Sequence, residues 1–107
     1  VFIPDIDKWE KWPTSLTDLV RSADHLLIDG TFFADGEINR PMSEVPHPFV
    51  IETMRVLSGL PRAERSKVHF IHFNHSNPLV QGRRWALRQV RSAGFGVAKV
   101  GQRFVLK

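Results

Sequence analysis

The sequence predicts an α/β domain organised around a parallel sheet, and three observations predict it. Short apolar runs alternate along the chain with stretches of helical period. One run, Leu26-Leu27-Ile28, is uninterrupted in apolarity, as a covered parallel strand is, and Val68 to Phe73 is the strongest strand signal. Polar clusters follow three of the runs directly: Asp5-Ile6-Asp7, Asp29-Gly30-Thr31, and His72 with Asn74-His75.

The elements follow in order. Val1-Phe2-Ile3 reads as a buried strand end stopped by Pro4, and a polar loop containing Trp9 and Trp12 runs to Pro13. Thr14 and Ser15 can cap a helix whose apolar positions are Leu16, Leu19, Val20 and Ala23, and Asp18 suits the positive end of its dipole. A second strand, His25 to Ile28, leads to a long loop from Phe32 to Pro46, long enough to be functional by itself. Pro48 opens a helix to about Leu57, with Val50, Met54 and Leu57 on its apolar face, ended by Gly59 and Pro61. Val68 to Phe73 is the strongest strand, and Asn74 to Pro78 is a turn cluster. A helix from Arg83 to Ala93 is closed by Gly94. Gly96–Val100 and Arg103–Leu106 read as short closing strands. This alternation implies parallel pairing with right-handed crossovers.

Composition narrows the function. The 107 residues make one small domain, and 42% hydrophobic content with 10% aromatics argues against disorder. No apolar run approaches the roughly 20 residues that span a bilayer, and no secretory signal opens the chain, so a cytoplasmic location is the default. The opening residue is Val rather than Met, directly in strand-like sequence, which suggests a segment of a longer protein. Without cysteine, a metal site must use histidine and carboxylate. A net charge of +4 permits an anionic partner.

In open α/β sheets, ligands bind at the carboxyl ends of the strands. Asp5, Asp29, His72 and His47 all fall at that edge and together offer oxygen and nitrogen ligands for zinc, manganese or iron. Each also has a plainer reading: Asp5 and Asp29 as turn residues, His47 as an N-cap or loop residue, His72 as a core histidine of an apolar strand. His69 and His72, three apart, face opposite sides of a regular strand. Arg84, Arg88 and Arg91 share one helical face, either a solvated surface or a contact for phosphate or nucleic acid. Trp85 beside them either stacks on a base or packs into the core, and Trp9 and Trp12 either wall a pocket or simply pack.

The segments FIPDID, LLIDGTFF, VPHPF and HFIHFNHSNPL, in that order, resemble the C-terminal half of metallo-β-lactamase-fold hydrolases, whose complete fold is an αββα sandwich. The resemblance is nearest to the branch of coenzyme PQQ synthesis protein B-like and phosphoribosyl cyclic phosphodiesterase-like proteins, and the ending AGFGVAKVGQRF resembles that family's closing strands. It implies one partial domain over 1–107. It also implies that Asp5 and His72 are metal ligands and that Asp29 and His47 form an acid–base pair, with His75 and Asn74 close behind. The implied cofactor is a pair of divalent cations, zinc or else manganese or iron, and the implied reaction is hydrolysis of an ester, favouring a phosphodiester.

The family's H-x-H-x-D-H motif is absent from the sequence. Asp5 and His72 alone are too few for a catalytic site of three protein ligands and a water. The chain alone is therefore expected to be inactive and to need an N-terminal half, in the same chain or another subunit. A sheet cut in half should also expose an apolar face, so association with a second copy is expected. Among ligands a small anionic substrate, contacted by Arg84 and Arg88, is favoured over nucleic acid. The alternative is a non-enzymatic accessory module, or an anion- or nucleic-acid-binding module using the Arg83–Arg91 helix.

Overall fold

The structure, a computed structural model, describes residues 1–3, 6–12, 15–99 and 102. Four strands, β1 (Phe2–Ile3), β2 (Leu26–Asp29), β3 (Val68–Ile71) and β4 (Gly96–Val97), form one sheet in the order β1-β2-β3-β4. Every pairing is parallel, as the alternation of elements predicts. The helices α1 (Leu16–Ser22), α2 (Val50–Val56), α3 (Arg62–Arg65) and α4 (Arg84–Ser92) lie between the strands in sequence. The expected strand Arg103–Leu106 and the end of Gly96–Val100 fall outside the described residues.

Local chemistry explains the helix ends. The Ser15 hydroxyl accepts from the Asp18 amide at the start of α1. Gly94 closes α4 at φ +96°, the left-handed conformation that glycine adopts freely. Around it Phe95 N–H bonds to Val90 C=O and Gly94 N–H to Arg91 C=O, the paired bonds of a Schellman motif. Arg62 adds bonds to the carbonyls of Ser92 and Arg91, and Arg65 to that of Ala93. The short α3, which the sequence reading left out, thus anchors the end of α4.

Among the described residues, the core packs on one side of the sheet. Leu26, Ile28, Val68 and Phe70 are fully buried and share one core with Leu16 and Val20 of α1, Val50 and Met54 of α2, and Ala86 and Val90 of α4. The alternate residues Leu27, His69 and Ile71 are only half-buried. The second strand is therefore not covered equally on both faces, as the unbroken apolarity of Leu26-Leu27-Ile28 had suggested.

Candidate functional site at the carboxyl edge

Because the strands run parallel, their carboxyl ends converge on one edge. The loops beyond β2 and β3 stay joined there: Gly30 N–H bonds to Ile71 C=O at 2.6 Å, and Asn74 N–H to Thr31 C=O at 2.9 Å. Gly30 is required by this close approach. A Cβ on it would lie 2.9 Å from Phe73 Cε1 and 3.0 Å from both Ile71 O and Phe70 Cβ. Asn77, completely buried, secures the same junction by donating to Gly30 C=O at 2.6 Å while its Oδ1 accepts from Leu79 N–H at 2.9 Å.

Asp29 ends β2 with no exposed surface, and four donors converge on its carboxylate. Oδ1 accepts from Thr31 N–H at 2.8 Å and from the Thr31 hydroxyl at 2.6 Å. Oδ2 accepts from Ile6 N–H at 3.1 Å and meets His47 Nδ1 at 2.7 Å. Four donors occupy roughly all the lone-pair directions a carboxylate offers. Asp29 is thus saturated by the protein: it orients its neighbours and leaves no oxygen lone pair for a metal.

The Thr31 hydroxyl extends this network. Its one hydrogen goes to Asp29, so its oxygen accepts from His72 Nδ1, 2.9 Å away. That assigns the Nδ1–H tautomer to His72 and leaves Nε2 with a lone pair on a solvent-exposed residue. His72 lies just beyond β3 rather than inside a strand, at φ 63°, the left-handed region that residues other than glycine adopt uncommonly, histidine more often than most. One bonded chain therefore runs from His47 through Asp29 and Thr31 to His72.

The entry to α2 holds His47. Val50 N–H and Ile51 N–H, otherwise orphaned in the first turn, bond to Phe32 and Phe33 C=O at 2.9 and 3.2 Å. Glu52 Oε1 accepts from Phe49 N–H at 2.9 Å and from buried Lys8 at 2.5 Å, and Lys8 also sits 4.7 Å from the centre of the Phe49 ring. Phe32 packs edge-on to His47, with ring centres 5.9 Å apart.

The other sequence candidates separate. Asp5 lies outside the described residues. His75 is exposed, with its backbone carbonyl bonded to Gln81. Asn74 donates to Ser76, which donates to Glu37, each at 2.6 Å, bracing the two loops rather than reaching His72. Trp9 is buried, donates to Thr53 at 2.7 Å and packs edge-on against Trp12, so packing is the role of this pair. Trp85 is 58% exposed and rests edge-on against Phe33, with ring centres 5.5 Å apart. Arg84 and Arg88 are exposed along α4.

Sequence reasoning placed Thr31 in a polar cluster and Asn77 in a turn without giving either a role, and it passed over Lys8. The Asn-Pro dipeptide at Asn77 favours a turn.

For a metal, His72 offers one imidazole nitrogen of suitable chemistry. Among the described residues no group of three or more His, Asp or Glu side chains could hold an ion. No helix among them is long and apolar enough to cross a membrane. Compared with protein-family models and with curated proteins, the chain matches none. Its function has to be read from these side chains.

Proposed function

We propose that this chain is the C-terminal half of a metal-dependent hydrolase of the metallo-β-lactamase fold, cleaving a phosphodiester or related ester once an N-terminal half completes the site. The supporting observation is the bonded chain His47–Asp29–Thr31–His72 at the carboxyl edge. It joins an oriented imidazole to an imidazole whose tautomer suits ligation, through a carboxylate that the protein saturates.

In this reading His72 Nε2 and the Asp5 carboxylate are metal ligands, and the partner half supplies the rest. Bound divalent cations would lower the pKa of a shared water. His47 acts as general acid. The water gives up a proton to solvent as its oxygen bonds to phosphorus. The bond to the leaving oxygen breaks, and that oxygen takes a proton from the His47 ring, which solvent then restores. Asp29 fixes the ring for this transfer through Nδ1, and Thr31 does the same for His72. The half-buried sheet face carrying Leu27 and Ile71, with exposed Phe2, is where the completing half would pack.

The test is metal content together with hydrolysis of a chromogenic phosphodiester. Both are measured on the 107-residue chain and on a form extended upstream in its own reading frame. Metal and activity are expected in the extended form, and both should fall by 10-fold or more in its Asp5→Ala, His72→Ala double variant. Absence of metal from both forms, or full metal content in the double variant, would sink the reading.

A further inference from the structure

α4 carries a charge pattern that helix stability does not explain. Its first turn holds no acidic residue, and Arg84 stands there with Arg83 just before it, where basic charge opposes the helix dipole. Arg84, Arg88 and Arg91 recur at helical spacing, so they form one stripe. All three are exposed, and none makes an ion pair with a described residue. With Leu87 and Ser92 they line an open groove of about 340 Å³. Ala86 and Val90, fully buried, hold the helix against the core and fix the stripe outward.

Trp85 borders this stripe and stays 58% exposed. Its ring meets that of Phe33 edge to face, with centres 5.5 Å apart and planes 87° apart. It also walls a second hollow of about 260 Å³ with Phe33, Pro78, Ser76 and the acidic Asp35 and Glu37, so a strand lying on the stripe meets Trp85 from the arginine side rather than through this hollow. An exposed indole beside a row of guanidiniums offers a π-face next to phosphate-binding charge.

We propose that the Arg84–Arg88–Arg91 stripe with Trp85 binds single-stranded nucleic acid, the arginines tracking phosphates and Trp85 stacking on a base. Single-stranded nucleic acid uses both features. An acidic peptide satisfies the arginines but gives the indole no base to stack on, and a duplex keeps its bases stacked away from it. An anionic lipid surface also takes both cation and indole, and is the rival that vesicle competition tests. The proposal stands independently of the hydrolase reading, since binding needs neither metal nor a completing half.

The test is fluorescence anisotropy of a labelled short oligothymidylate with the full chain across a series of salt concentrations. Three phosphate contacts predict a slope of log affinity against log salt on the order of −2. Arg88→Ala should flatten that slope by about 0.7. Trp85→Ala should weaken binding by about 5- to 100-fold with the slope unchanged, and Trp85→Phe should keep most of the affinity. All of these positions are exposed, so unchanged thermal unfolding verifies each variant. Three outcomes overturn the proposal: no binding, an Arg88→Ala slope equal to that of the parent, or Trp85→Ala affinity equal to that of the parent. Displacement of the oligonucleotide by polyglutamate or anionic vesicles at equal charge concentration also overturns it, because the stripe would then be a general polyanion surface.

Discussion

The two faces of the sheet are built from the same strands and behave differently. On one face Leu26, Ile28, Val68 and Phe70 are fully buried beneath three helices. On the other, Phe2 is 66% exposed, and Leu27, His69 and Ile71 are half-buried and stand apart from the core. The register lines up Phe2, Leu27, His69 and Gly96 as one row across that second face. A Cβ on Gly96 would collide with the His69 ring, so the glycine leaves space for the ring to lie across the sheet. Apolarity along a strand therefore does not fix its burial. The side on which the helices return does.

The sharpest way to break this comparison is to truncate one aromatic from each face. Phe70→Ala removes a fully buried ring that packs 6.1 Å from the Phe95 ring, and should cost about 3–5 kcal/mol. Phe2→Ala should cost about 0.5 kcal/mol or less. Urea denaturation of both variants measures the difference. Similar losses would mean that the second face is as well packed as the first.

A smaller effect probes where a strand changes sides. Simple alternation would put Phe73 on the same face as Ile71, yet Phe73 packs against the core beside Gly30. The left-handed backbone of His72 makes that switch, and such a conformation stores roughly 1–3 kcal/mol in a residue other than glycine. His72→Ala and His72→Gly both lose the bond to Thr31, so the difference between them isolates the strain. The glycine variant should be more stable by about 1 kcal/mol in the same urea experiment. Equal stabilities would mean that the backbone relaxes without cost.

This turn also shows how far the sequence could be read. The parallel alternation, the Ser15 cap and the Gly94 stop follow from local pattern, and local structure obeys them. The contact of Asp29 with His47 was legible through resemblance, since no spacing rule joins residues 18 apart. Thr31 stood in a polar cluster, but its link to His72 was not legible. Its role depends on a positive φ at residue 72, and a histidine within VHFIHF reads as ordinary strand. α3 escaped because four residues carry too little periodicity, and Lys8 because its ion-pair partner Glu52 lies 44 residues away. Trp85 was ambiguous because an aromatic beside a charged stripe reads equally as core or surface until neighbouring loops are placed.

The gentlest test uses His69, the one titratable side chain in the row shared by Phe2, Leu27 and Gly96. Partial burial pushes its pKa below the usual 6.5, a hydrogen bond with the Lys67 backbone opposes that, and the nearby charge of His25 adds to the lowering. A depressed value means that the folded protein favours the neutral ring. Just below pH 6.5 the unfolded chain then binds more protons than the folded one, so stability rises with pH there. The contribution is complete above 6.5, shrinks as pH falls, and levels off below the folded-state pKa. His69→Gln, which keeps the hydrogen-bonding capacity but does not titrate, should flatten this part of the profile while Phe2→Ala leaves it in place. Urea midpoints between about pH 5 and 7 read the effect. If the parent and His69→Gln profiles ran parallel, the ring would be as well hydrated folded as unfolded. The second face would then be open to water even at its centre.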